Sequence, residues 1–354
     1  MDLIAKRFPK IVKFLGFLGV ISGYTGMAFI LYTLITQTFK FLTVEGTAPP
    51  LAPVLPGVDI PGAPNLSFVH WILVIFIIAV VHEFSHGVLA RYYNVKVKSS
   101  GFAFLGPILA AFVEPDEKVL QKKKYAQLAV YSAGPFANIL FALLVVLAMQ
   151  FLFIPITENT LVVEGVSVGK VIEGYPMEKI GIGAPFTIHK INNITISSPE
   201  NFFDAISSFN PGKQVQIFTD KGDFTLVSVE NPDNSSKGFI GITEFEFKYV
   251  IPEKYDFLPD LYIPFLEWMN LFLVWLFIIS LGVGLFNLLP LGPIDGGRIF
   301  YSTLLNTLKD KKKALKIYNF ISLFVLLLII INLLPYLFKF LGFIFKPLAI
   351  LFGL

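Results

Sequence analysis

The chain has 354 residues, 55% of them hydrophobic and 15% charged, with a net charge of +3 and a mean hydropathy of +0.71. Soluble domains carry about a quarter charged residues, so this composition belongs to a membrane protein, and so small a net charge gives no basis for a nucleic-acid partner. The absence of cysteine excludes disulfides, thiolate zinc sites and cysteine nucleophiles together.

A helix needs about 20 mostly apolar residues to cross the hydrocarbon core. The first such run, Phe14 to Phe39, is uncharged and follows Lys6, Arg7, Lys10 and Lys13. It is long and has no small-residue cleavage site behind it, so it reads as a retained transmembrane helix over residues 14–39, not a signal peptide. A second span over residues 67–92 contains the run Trp71 to Val81, which leads into His82-Glu83-Phe84-Ser85-His86. Gly101 to Val113 is apolar but short and interrupted by Gly106-Pro107, which suits a re-entrant hairpin over residues 96–115. A third span follows at 125–153.

From Thr157 to Asp256 the composition turns polar. Alternating stretches such as Val162-Val163-Glu164 and Val215-Gln216-Ile217-Phe218, with turns at Asn210-Pro211-Gly212 and Asn231-Pro232-Asp233, predict a small strand-rich domain. One helix is expected within it, around Pro199 to Ser208. The insert divides the membrane core into residues 1–156 and 257–354. The second part carries spans at 263–290 and 317–338, with a short apolar segment, 341–354, expected along the interface.

Lys and Arg set the orientation. Phe41 to Leu66 carries neither, whereas Arg91 to Lys124 carries Lys96, Lys98, Lys118 and Lys122 to Lys124, and Lys309 to Lys316 is basic again. Basic loops stay cytoplasmic, so the amino terminus is inside and the inserted domain outside, in a multi-pass protein of the cell membrane.

His82 and His86 lie four apart, on one helix face, and two imidazoles at that spacing can grip one Zn²⁺ while Glu83 takes a proton from the attacking water. The motif alone is weak, and its histidines could sit at an interface with Glu83 snorkelling. Its apolar setting argues otherwise, because uncompensated charge inside a membrane is costly. At the rise of an α-helix, His82 is about 20 Å into the bilayer, nearer the cytoplasmic face. A catalytic zinc takes about three protein ligands. Without cysteine the third must be His, Asp or Glu. Asp295 is the best candidate, because Asn287-Leu288-Leu289-Pro290-Leu291-Gly292-Pro293-Ile294-Asp295-Gly296-Gly297 breaks the helix on the same side of the membrane. The alternative is a turn whose aspartate meets solvent. His70 and His189 are expected to be structural, and Glu114, Asp116 and Glu117 to be solvated.

With these motifs the chain resembles the site-2 protease family of intramembrane metalloproteases. His82 to His86 matches its zinc motif. Asn287 through Gly296 matches a second motif: an Asn, a Pro three residues on, and an Asp-Gly eight residues after the Asn. Ser132-Ala133-Gly134-Pro135-Phe136-Ala137-Asn138 matches a small-residue segment of the third span. The resemblance implies one catalytic zinc on His82, His86 and Asp295, and Asn287 positioning substrate or stabilising the oxyanion. It also implies Asn138 hydrogen-bonding near the site, although an intramembrane Asn can equally join two helices. The hairpin would pair with unwound substrate. The implied activity is regulated intramembrane proteolysis of single-pass membrane proteins. The insert resembles PDZ-like domains through Val171 to Ile182 and Ile188 to Asn193, with Pro185-Phe186 in place of the usual Gly-Asp, so it is either a peptide binder or a steric gate. Two other function classes compete. A zinc transporter should show a path of intramembrane carboxylates or histidines, and outside the site only Glu267 offers itself. An inactive scaffold has no use for Glu83.

Overall fold

The structure, a computed structural model, describes residues 1–351 apart from Pro61, Gly106, Pro107 and Asp233. It divides into two units: Met1–Ala148 with Asn270–Leu354, and Met149–Met269. The first opens with α1 (Asp2–Arg7), which ends at Phe8, and α2 (Pro9–Thr43) follows. A residue before proline is driven from helical geometry, so Pro9 separates the basic amino-terminal turn from the long apolar helix. α3 (Phe68–Tyr92) starts at Ser67, whose hydroxyl accepts from the His70 N–H. The predicted hairpin is present as β1 (Val97–Leu105) and β2 (Ile108–Pro115), antiparallel and in register from Ser99 with Glu114 to Leu105 with Ile108. Its Gly106-Pro107 turn lies outside the described residues. Asp116 caps the short α4 (Glu117–Leu120), and α5 (Lys124–Ala148) follows. The chain then leaves the first unit through a π-helical turn, Met149–Phe153, and α6 (Ile154–Thr160).

The second unit is β-rich. Its elements are β3 (Val162–Val171), α7 (Pro176–Lys179), β4 (Phe186–Ile191), β5 (Ile194–Thr195), α8 (Pro199–Ser207), β6 (Gln214–Thr219) and β7 (Gly222–Val227), then β8 (Val229–Asn231), β9 (Asn234–Phe239) and β10 (Ile242–Val250). The main sheet runs β10-β3-β4-β6-β7, antiparallel throughout, with β5 paired to β4. Alternate residues of β3 face inward, and Val166, Val168, Ile188 and Ile217 form the core with Phe202 and Ala205 of α8. Phe186, part of the Pro185-Phe186 departure from the PDZ pattern, is 2% exposed in this core. That position is used for packing. Asp233 of the Asn231-Pro232-Asp233 turn lies outside the described residues.

The chain returns as α9 (Tyr262–Phe286), α10 (Asp295–Leu308) and α11 (Lys311–Leu351). Three differences from the sequence expectations appear here. The span expected to reach residue 290 stops at Phe286, and the Leu288 and Leu289 N–H groups tighten onto Leu285 and Phe286. Pro290 and Pro293 have no N–H to continue the ladder. Secondly, α10 was not anticipated, because Gly296 and Gly297 lower its helix propensity and the basic cluster behind it reads as loop. Thirdly, α11 takes in both the span expected at 317–338 and the start of the 341–354 segment, the latter's residues 352–354 lying outside the described residues. Gly342 costs about 1 kcal/mol in a helix interior, too little to end so long an apolar helix.

Among the described residues five helices are long and apolar enough to cross a membrane: Pro9–Thr43, Phe68–Tyr92, Lys124–Thr160, Tyr262–Phe286 and Lys311–Gly342. The molecule is a polytopic helical membrane protein with an inserted β-rich domain.

Candidate metal centre

Three elements of the membrane unit converge on one point. α3 supplies His82 and His86, one turn apart on its inner face. The break after α9 supplies Asp295, at the first position of α10, where the positive end of the helix dipole favours a carboxylate. α5 closes the third side. His82, His86 and Asp295 are 9%, 8% and 7% exposed. The Asp295 Oδ2 lies 3.0 Å from His82 Nε2 and 3.2 Å from His86 Nε2. Two ligands at zinc bond lengths and a tetrahedral angle stand about 3.3 Å apart. The donor atoms of all three residues lie within 4.8 Å of one another, and among the described residues no other His, Cys, Asp or Glu group of this kind occurs.

The outer contacts suit metal binding too. The His86 Nδ1–H donates to the Val130 carbonyl at 2.6 Å, which leaves Nε2 as the lone-pair donor toward Asp295. Pro135, inside α5, cannot donate to the Tyr131 carbonyl and loosens the turn that Val130 belongs to. His82 Nδ1 lies 3.1 Å from Asn138 Nδ2, while Asn138 Oδ1 is buried with no partner. Rotating that amide by half a turn pairs Oδ1 with an Nδ1–H on His82 and frees Nε2 for a metal. The orphaned oxygen therefore fits a metal-loaded site. Asn138 also accepts, through its backbone carbonyl, from Ser280 Oγ at 2.8 Å, so it joins α5 to α9 as well. Asn138 thus stands beside His82 and also at the α5–α9 contact. Asn138→Ala should weaken zinc binding by about 10- to 100-fold, as losses of such outer partners do, measured by competition with a chromophoric chelator. Unchanged affinity would leave Asn138 a helix joiner only.

The approach of α5 requires Gly134. A Cβ there would meet His86 Nε2 and both Nε2 and Cε1 of His82. Within the segment 132–138, Gly134 is thus the position that admits the two imidazoles.

Glu83 is beside the histidines but outside the three-residue group. Its Oε2 accepts from the Val113 N–H of β2 at 2.9 Å, so the hairpin edge holds the carboxylate. Asn287 lines the same cavity, yet its Nδ2 donates to the Val283 carbonyl at 3.0 Å, while its own carbonyl accepts from the Gly296 N–H at 2.6 Å. It clasps the two ends of the broken segment. The cavity, of about 330 Å³, is lined by His82, Glu83, His86, Phe112, Val113, Asn287 and Asp295, and also by Tyr131 and Arg298.

Glu117, expected to be solvated, keeps 39% of its side chain accessible and accepts from the Tyr131 hydroxyl at 2.9 Å, while Asp116 caps α4 and Glu114 accepts from Ser99 Oγ. His70 hydrogen-bonds to Ser67 and His189 to the Glu164 carbonyl. Sequence reasoning passed over Arg298. Without α10 in the expected fold, its spacing of three from Asp295 carried no signal.

Fold and site together define a membrane metallopeptidase of the site-2 protease type. The chain belongs to peptidase family M50, whose model matches residues 70–331. An uncharacterized protein of Methanocaldococcus jannaschii is 30% identical over 315 residues, covering 86% of this chain and 74% of that protein. The crystal structure of the PDZ domain of an SdrC-like protein from Listeria monocytogenes covers 23% of this chain and 86% of its own, at 25% identity and a TM-score of 0.20. Family M50 consists of zinc metalloproteases.

Proposed function

We propose that this protein is an intramembrane zinc endopeptidase that hydrolyses peptide bonds of single-pass membrane proteins, with His82, His86 and Asp295 as ligands of one zinc ion. The observation that carries the reading is the convergence of those three buried side chains, from two separated segments, at ligand spacing. A zinc ion held there would supply an acidified water and polarise the scissile carbonyl. Glu83, fixed by the Val113 N–H, accepts the water's proton and returns it to the leaving amine. β2 presents backbone groups beside the cavity, which suits an extended substrate segment, because a bond within a helix is shielded from attack. Phe102 and Phe104 of the hairpin are 60% and 79% exposed, as expected of a hairpin entering lipid. Asn287 shapes the broken segment and borders the reacting bond. The basic loops support a cytoplasmic amino terminus and an extracytoplasmic insert in a cell membrane, with substrates entering after their outer parts have been trimmed.

The test is cleavage of a membrane-spanning peptide by the purified full-length protein in proteoliposomes. Chelation should abolish it and stoichiometric zinc should restore it. Cleavage that persists in zinc-free protein would overturn the reading. An inactive scaffold would cleave nothing in either state.

A further inference from the structure

We propose that Arg298 is a specificity residue whose guanidinium takes a carboxylate side chain of the substrate, an Asp or Glu, close to the scissile bond. The inference rests on the peptidase reading above. Arg298 follows Asp295 by three residues on α10, so both side chains leave one helix face. It lines the cavity bounded by His82, Glu83, His86 and Asp295.

Its surroundings hold it in place through a ring contact and one long ion pair, with no hydrogen bond to its donors among the described residues. The guanidinium stands 5.6 Å from the centroid of the Tyr131 ring, a contact that orients the plane and leaves the N–H groups available. Glu117 Oε1 is 3.7 Å from Nη1, beyond hydrogen-bond length, and the other Glu117 oxygen accepts from the Tyr131 hydroxyl. Half of the Arg298 side chain, 50%, remains accessible.

A cation in the first turn of a helix opposes the helix dipole, and the Tyr131 ring and the Glu117 carboxylate offset this only in part. The cavity supplies a further use for the charge. The other charged side chains lining the cavity are Glu83 and Asp295, neither of which can pair with a substrate carboxylate, and Arg298 is the one Lys or Arg among the lining residues. A planar fork of donors binds a carboxylate bidentately. Glu117, from the segment after the hairpin, competes for the same fork and tempers that attraction.

The experiment uses the full-length protein in proteoliposomes, zinc content checked, with membrane-spanning peptides that differ in one residue. Asp, Asn or Lys is placed in turn at each position on either side of the scissile bond. The wild type should cleave the best Asp peptide about tenfold more efficiently in kcat/KM than its Asn counterpart, with the difference in KM, as for one charge-assisted hydrogen-bonded contact. Arg298→Gln should bring the Asp-to-Asn ratio to one whatever its absolute rate, and Arg298→Glu should favour the Lys peptide. Glu117→Gln, which leaves Arg298 in place, should raise the ratio. A wild-type ratio of one at every position, or a ratio that Glu117→Gln leaves unchanged, overturns the assignment while the peptidase reading stands. Failure of the wild type to cleave any peptide removes both.

Discussion

Glu83→Gln should reduce kcat for a membrane-spanning peptide by about 10²- to 10⁴-fold, the usual contribution of a positioned general base, while zinc content stays at one per chain. The substitution keeps the shape of the side chain. The amide oxygen can still accept from the Val113 N–H, so the hairpin and the cavity wall keep their positions. Only the capacity to take a proton is lost. Glu83 is outside the group of three metal-competent side chains, and this is why metal and activity should separate. Metal analysis and single-turnover cleavage on the same sample make the comparison. A variant that cleaves at the wild-type rate removes Glu83 from the mechanism. One that loses zinc makes it a ligand.

Gly134→Ala should lower zinc affinity by about 100-fold or more, the upper end of what changes around a metal's ligands cost, although glycine binds no metal. The added methyl would occupy space held by the Nε2 atoms of both histidines, and these are the lone-pair positions that face Asp295. Helix propensity alone would make the change favourable by about 1 kcal/mol, so a loss of metal cannot be blamed on a weakened helix. Gly282→Ala in α9 is the control, because a Cβ there meets nothing within 4 Å. Equal zinc affinity in the two variants would mean that α5 does not close the site.

Much of the fold was legible because a membrane makes its demands locally. Unbroken apolar length marks a span, so the helices over Phe68–Tyr92 and Lys124–Ala148 were written plainly in the chain. The hairpin was legible for the opposite reason, being apolar yet too short to cross. Helix ends were harder. Phe286 ends α9 because of prolines further along, and α10 hides behind two glycines that are there for close backbone approach: a Cβ on Gly296 would meet the Leu288 carbonyl, and one on Gly297 that of Leu291. In the centre itself, His82, His86 and Asp295 could be read from spacing, an apolar setting and charge asymmetry. The Val113 donor could not, because a backbone N–H carries no sequence signature and its partner lies thirty residues away. Glu117 and Arg298 escaped for a related reason. A charge beside a loop reads as solvated until the fold places Tyr131 next to it.

The most direct test of the central claim is an anomalous difference map from crystals of the zinc-loaded protein, recorded on both sides of the zinc absorption edge. One peak should appear among His82 Nε2, His86 Nε2 and the Asp295 carboxylate, about 2.0–2.2 Å from each, and vanish below the edge. A peak elsewhere, or one coordinated by the histidines with Asp295 turned away, would contradict the account.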